Sequence, residues 1–203
     1  MVEIRRERPE DVSGIRNVHD RAFGQSEEGA VVDRVREARA GLVSLVAVAE
    51  GQVVGHALFS PVRIETGAGR DVFGMGLAPL AVLPEYQRQG IGTELMDAGL
   101  AAMRQTSCPF VVVLGHPAYY PRFGFEPASR RGIRCKWDVP DEAFMVLVMD
   151  AEAMRGVAGL AHYRPEWDDA TEGRQGKSRQ DAAAPLRRAR SQPLAGPSEQ
   201  ART

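Results

Sequence analysis

Residues 80–93 have the residue types and spacing of a site that binds phosphate. The segment leaves an apolar run, turns at Pro84 and opens a helical pattern with Gly90 and Gly92. The first turn of a helix has unpaired N–H groups and a partial positive charge, and glycine lets the backbone approach an anion closely. The sequence therefore predicts an anion site where this strand, turn and helix meet.

Other sites of related chemistry fit this sequence less well. The segment does not end in the Gly-Lys-Ser/Thr of a P-loop, and it lacks the third glycine of a dinucleotide-binding turn. The two cysteines, Cys108 and Cys135, do not have the Cys-x-x-Cys spacing of a zinc site. We therefore predict neither of these nucleotide sites and no bound metal.

The elements that must position the segment follow a mixed pattern of helices and strands. Three amphipathic patterns, at 9–23, 31–38 and 92–105, predict helices. Apolar or alternating runs predict strands. These runs lie at 2–6, 42–49, 53–64, 72–82, 110–114 and 144–149. The order predicts a mixed α/β domain built on one sheet.

The composition is that of one globular domain with a polar tail. The chain has 203 residues, of which 43% are hydrophobic, and 26 basic against 27 acidic side chains give a formal net charge of −1. We therefore expect no nucleic-acid partner. Residues 168–203 contain no Ile, Val, Phe, Tyr, Trp or Met, so we predict a folded domain at 1–167 and a disordered tail at 168–203.

The sequence also indicates where the protein is located. No apolar run approaches the roughly 20 residues that a membrane span requires, and the N-terminus has no apolar signal region. The low cysteine content fits a reducing compartment. We expect a cytoplasmic protein without a membrane partner, and a homodimer is left open.

Two features together resemble the GNAT superfamily of N-acetyltransferases. The pyrophosphate loop of that family has the pattern Gln/Arg-x-x-Gly-x-Gly/Ala, which residues 87–92 match, and Tyr120 matches a family tyrosine four residues before a Gly-Phe pair. The longer string at 113–127, followed by 137–140, resembles the YhbS-like subgroup. The resemblance covers about residues 3–166 and implies a GNAT-like fold, a mixed and mostly antiparallel central sheet flanked by helices.

This resemblance implies an N-acetyltransferase that uses acetyl-CoA and acts on a primary amine of a small molecule or protein by direct attack. Tyr120 corresponds to the general acid that returns a proton to the departing CoA thiolate. The backbone of Leu80, Ala81 and Val82 is expected to pair with the pantetheine arm. The pyrophosphate loop begins at Gln87, and its amides are those of Arg88, Gln89, Gly90, Ile91, Gly92 and Thr93.

The general base is not identified by the sequence. Many family members have a carboxylate or an asparagine on the strand after the pyrophosphate helix, and residues 108–115 contain neither. His116 and His56 are the candidates, because histidine titrates closest to neutral pH. A turn-capping role for His116 and a core position for His56 are the structural alternatives. Tyr119 is likewise an alternative to Tyr120.

A second function fits the same cofactor site. A fold does not fix its chemistry, so a non-catalytic regulatory module that binds acyl-CoA is the alternative to the enzyme. The presence of Tyr120 favours the enzyme.

Overall fold

The computed structural model describes residues 1–24, 26–38, 41–67 and 69–168. Of the tail predicted to be disordered, only Asp168 falls within these ranges, so that prediction lies outside the described residues. The helices are α1 (Val12–Phe23), α2 (Glu27–Glu37) and α3 (Ile91–Gln105). The strands are β1 (Val2–Arg6), β2 (Val43–Ala49), β3 (Gln52–Glu65), β4 (Val72–Val82), β5 (Phe110–Leu114), β6 (Glu126–Pro127), β7 (Ile133–Cys135), β8 (Phe144–Val148) and β9 (Gly159–His162). None of the helices in these ranges combines the length and the apolar content needed to cross a bilayer.

The strands of the described residues form one sheet. The central order is β1-β2-β3-β4-β5-β8-β6, and β9 pairs with both β3 and β7. Most neighbours are antiparallel, while β4 with β5 and β7 with β9 are parallel. The predicted sheet class is confirmed, and the predicted helices and strands agree with the observed ones to within a few residues. The short strands β6, β7 and β9 were not predicted.

The helices cover opposite faces of this sheet, because successive side chains of a strand point to opposite sides. Phe59 of β3 packs in one core with Leu95 of α3. The neighbouring Leu58 packs in a second core with Ile15 of α1. We call these sides of the sheet the α3 face and the α1/α2 face.

Strands β4 and β5 pair over a short length and then separate. Their parallel ladder joins residues 75–77 to residues 111–113. Beyond Leu77 the register of β4 against β3 shifts at a bulge that contains Pro79, which has no N–H to donate. Residues 80–82 resume pairing with β3, so their other edge has no partner in the described part of the chain. We call the resulting wedge-shaped opening between β4 and β5 the splay.

Candidate active site

A tight loop connects the end of β4 to the first turn of α3. Gln87 ties this loop to the strand, because its Nε2 donates a hydrogen bond to the carbonyl oxygen of Val82 at 2.9 Å. Two loop residues adopt the left-handed conformation, Arg88 with φ 62° and Gly90 with φ 90°. Glycine reaches this region without a steric penalty. Such alternation of backbone conformation produces a concave turn whose N–H groups can face one anion.

The backbone N–H groups of this loop are free to bind a ligand. Among the described residues, the amides of residues 88–92 make no hydrogen bond. The next two amides, of Thr93 and Glu94, donate to the carbonyl oxygen of Gly90 at 2.8 and 3.0 Å. The N-terminus of α3 adds its partial positive charge at the same place. This arrangement suits a diphosphate group.

The unpaired edge of β4 leads from the splay to this loop. Leu80, Ala81 and Val82 use one edge to pair with β3, opposite residues 55–57. Their second edge offers backbone donors and acceptors to an extended ligand, as the edge of a sheet does for an added strand. The residues predicted to hold the pantetheine arm and the pyrophosphate are therefore contiguous in space.

The two adjacent tyrosines point to different parts of this region. The hydroxyl of Tyr119 lies 3.0 Å from the position that a Cβ on Gly92, in the first turn of α3, would occupy. The ring of Tyr120 instead packs against Gly115, after the end of β5, and its hydroxyl lies 3.2 Å from the corresponding Cβ position. Tyr119 thus covers the first turn of α3, whereas Tyr120 borders the splay on the α3 face.

The environment of Tyr120 keeps its hydroxyl protonated. The residue is 9% exposed, and its burial, followed by the neighbouring Tyr119, raises the pKa of Tyr120 well above its usual value. A phenol of this kind holds its proton throughout the physiological pH range. Tyr120 is therefore equipped to donate a hydrogen bond or a proton, and it is not equipped to act as a base.

His116 lies beside these tyrosines at the surface. Its side chain is exposed, and Nδ1 accepts a hydrogen bond from the backbone N–H of Ala118 at 3.2 Å. This contact corresponds to the turn-capping alternative. Its Nε2 has no hydrogen-bond partner in the described part of the chain. A role for His116 as general base stays a prediction.

His56 is enclosed in the core on the α1/α2 face. Its Nδ1 hydrogen-bonds with Nε2 of His19 at 2.8 Å, and its Nε2 hydrogen-bonds with the hydroxyl of Ser44 at 2.8 Å. The side chain has no exposed surface, and burial is the main cause that lowers the pKa of His56. Because both ring nitrogens are occupied, the geometry corresponds to the core alternative. A role as base would require His56 to exchange one of these partners.

A buried polar group near the splay was not predicted from the sequence. Tyr163 packs its ring against Gly76 of β4, and its hydroxyl is buried without a hydrogen-bond partner among the described residues. Trp137, which the sequence suggested as core or pocket wall, stacks on this ring with centroids 5.1 Å apart. No local motif marks Tyr163, so only the folded arrangement could identify it.

The cysteines and the metal-binding residue types form no further centre in the described ranges. Cys108 and Cys135 are both free thiols. Within those ranges, no three His, Cys, Asp or Glu side chains are grouped so that they could hold a metal ion.

Comparison of the sequence with known proteins identifies close relatives. Residues 3–128 match the acetyltransferase (GNAT) domain. The chain is 39% identical over 166 residues to the uncharacterized N-acetyltransferase YhbS of Escherichia coli K12, and the alignment covers 81% of this chain and 98% of that protein.

Two solved structures are similar to this chain in both fold and sequence. The GNAT family N-acetyltransferase YhbS from Escherichia coli, in complex with CoA, has a TM-score of 0.77 and 38% identity, covering 82% of this chain and 92% of that one. A GNAT family acetyltransferase from Brucella melitensis, in complex with acetyl-CoA, has a TM-score of 0.67 and 36% identity. The match covers 83% of this chain and 99% of that one. These matches, together with the splay and the free amides of the loop, show that the chain belongs to the GNAT acetyltransferase family.

Proposed function

We propose that this protein transfers the acetyl group of acetyl-CoA to a primary amine by direct attack of the amine on the thioester. The observation that carries the proposal is the continuity of three features. The free amides of residues 88–92 lead to the unpaired edge of β4, and that edge leads to the splay that Tyr120 borders. Relatives crystallised with CoA and with acetyl-CoA support this ligand.

The cofactor-binding residues act through their backbone. Amides from Arg88 to Thr93 hold the pyrophosphate, and the edge of Leu80, Ala81 and Val82 holds the pantetheine arm. Gln87 fixes the loop to β4 through its hydrogen bond with Val82. This division of roles places the sulfur near the root of the splay, where Tyr120 lies.

The reaction forms a C–N bond and breaks the C–S bond of the thioester. The nitrogen lone pair attacks the carbonyl carbon, and the sulfur leaves with the bonding electrons. Tyr120 donates a proton to that sulfur as it leaves, and the amine loses its extra proton to a base or to solvent. His116 is the proposed base, since its ring is exposed beside the tyrosines. To accept the proton at Nε2, the ring exchanges the hydrogen bond from Ala118 to Nδ1 for the tautomer that is protonated at Nδ1.

The need for a base depends on the acceptor. A lysine-like amine with a pKa of about 10.4 costs roughly 4–5 kcal/mol to deprotonate at pH 7, whereas an α-amino group near 7.8 costs about 1 kcal/mol. An amine of the second kind reacts without a strong base. Residues 108–115 contain no carboxylate or asparagine, so an acceptor of the first kind depends on His116 or on another base.

We also propose that the protein is cytoplasmic, and that residues 1–167 are the folded domain while 168–203 form a disordered tail. Cell fractionation tests the location, and limited proteolysis tests the tail. A homodimer is left open, and sedimentation velocity determines the oligomeric state.

Thiol release from acetyl-CoA, measured with a panel of primary amines, tests the proposed activity. We expect release that depends on one or more amines, together with an N-acetylated product of the matching mass. Tight binding of acetyl-CoA without amine-dependent release for any member of the panel would instead support the non-catalytic acyl-CoA-binding module.

A further inference from the structure

The hydroxyl of Tyr163 is a buried polar group that lacks a partner in the free protein. Tyr163 is 5% exposed, and its hydroxyl oxygen has no hydrogen bond within the described residues. Buried hydroxyl groups in native proteins are almost always paired, and an unpaired one is destabilising relative to a phenyl ring. A group of this kind is explained if its partner arrives with a ligand.

The position of Tyr163 relates it to the splay. A Cβ on Gly76 would lie 2.5 Å from Cε1 of Tyr163, so only glycine in β4 allows the ring to pack there. Gly76 pairs with Val112 one residue before the end of the β4–β5 ladder. The ring therefore lies at the root of the splay, on the α1/α2 face, because its packing partners belong to that core.

The Tyr163 hydroxyl lies within electrostatic range of two other polar groups, the Cys135 thiol and the Tyr120 hydroxyl. Burial is the main cause that raises the pKa of Tyr163 well above its usual value, and the Cys135 thiol and the Tyr120 hydroxyl raise it further. The group therefore stays an un-ionised O–H, whose oxygen can accept a hydrogen bond from an N–H group. Tyr120 approaches from the α3 face and Tyr163 from the α1/α2 face, so one tyrosine stands on each side of the splay.

The proposed cofactor site lies on one face of the sheet. The loop of residues 88–92 is continuous with α3, and Tyr120 lies on the α3 face, so the proposed function assigns the cofactor to that side of the opening. The α1/α2 face is the side left for the acceptor. A pocket of about 450 Å³ elsewhere on that face, beside β1 and α2, includes Arg6 and Arg36 and is less suited to a cation.

A small pocket on the acceptor side is lined by Trp137, whose ring stacks on Tyr163, and not by Tyr163 itself. Its volume is about 220 Å³, below the roughly 300–1,000 Å³ of sites for drug-sized ligands. Trp137, which stacks on Tyr163, and Phe144, which pairs with the last residue of β5, provide apolar wall. Asp138, Asp141 and Arg134 also line the pocket, and Asp141 accepts a hydrogen bond from the hydroxyl of Ser129 at 2.9 Å. The apolar wall fits the apolar body of a small amine.

We infer that Tyr163 positions the acceptor. Its hydroxyl accepts a hydrogen bond from the amino group of a small primary amine that has an apolar body and enters from the α1/α2 face. This inference rests on the proposed acetyl transfer. The hydrogen bond holds the nitrogen at the root of the splay, so that its lone pair is directed at the carbonyl carbon. No proton passes to or from Tyr163.

The test compares the full-length wild type with Tyr163→Phe, using 2-phenylethylamine as the probe. The phenylalanine variant is expected to have a Tm no lower than wild type, because the lost hydroxyl had no partner. Its Kd for CoA, measured by calorimetry, is expected to be unchanged. Its KM for 2-phenylethylamine should rise by up to about tenfold, which corresponds to the loss of one hydrogen bond. Its kcat should change by a smaller factor than KM, and the pH profile of kcat/KM should keep its shape. Tyr119→Phe is the matched control, and its effect should fall on the Kd for CoA.

Each other outcome has a defined meaning. A Tm lowered by several degrees would show a structural hydrogen bond and overturn the inference, as would an unchanged KM or a change confined to kcat. A wild type that acetylates other amines of the panel but not 2-phenylethylamine would overturn the assigned amine class. A wild type that acetylates no amine at all refutes the proposed function and not the placement of Tyr163.

Discussion

Replacement of Gly90 by valine is expected to abolish tight binding of CoA. Gly90 has φ 90°, a conformation that costs a residue with a Cβ about 1–2 kcal/mol, and Glu94 is the nearest protein contact of an added Cβ, at 3.9 Å. The free amides on both sides of Gly90 lose their convergence when the loop relaxes. Hydrogen bonds to a charged group contribute about 1.5–3 kcal/mol each. Loss of two therefore weakens binding by about 10²–10⁴-fold.

A matched control separates this effect from a general loss of stability. Gly51, in the turn between β2 and β3, has φ 78° and open space around its Cβ position. Gly51→Val should lower the free energy of unfolding by a similar 1–2 kcal/mol without changing the Kd for CoA. Isothermal titration of CoA into both variants and wild type gives the comparison. Wild-type affinity in Gly90→Val would refute the assignment of residues 88–92 as the pyrophosphate site.

Three further predictions concern pH and the tail. Burial acts to raise the pKa of Glu7, but the neighbouring His56 and the hydrogen bonds from Ser44 and Arg36 outweigh it and lower that pKa to about 2. Glu7 should thus contribute about 3 kcal/mol to the free energy of unfolding above pH 4.5, and this contribution should be lost as the pH falls to about 2. In urea unfolding, the free energy of unfolding of Glu7→Gln should not show this fall between pH 4.5 and pH 2. His116→Ala should remove the lower limb of the pH profile of kcat/KM, and a surviving limb would assign the base elsewhere. Truncation after Asp168 should leave the Tm and the Kd for CoA unchanged, and a clear fall in Tm would contradict the predicted tail.

The strand, turn and helix of the proposed cofactor site were predicted from the sequence because short-range rules determine them. A strand, a turn at Pro84 and a glycine before a helix form a local unit, and their chemistry does not depend on distant residues. The same holds for the long strands and helices, whose apolar periodicity is visible in the chain. The short strands β6, β7 and β9 form through pairing with distant partners, so the local pattern contained no signal for them.

The proposed acceptor side was not predicted because its residues come together only through tertiary packing. Tyr163 lies far along the chain from Gly76 and Trp137, and its unpaired hydroxyl is a property of the folded protein alone. His56 illustrates the opposite case. Its position in an apolar run suggested both a base and a core residue, and its contacts with His19 and Ser44 correspond to the core interpretation.

The measurement that tests the central claim most directly is the turnover of Tyr120→Phe beside its affinity for CoA. General acid catalysis is worth about 10²–10⁴-fold, so kcat should fall by that factor while the Kd for CoA stays within about twofold of wild type. Tyr119→Phe should show the converse, a weaker Kd with little change in kcat. A Tyr120→Phe variant with wild-type kcat, and a Tyr119→Phe variant without turnover, would contradict the assignment and place the acid on the neighbouring residue.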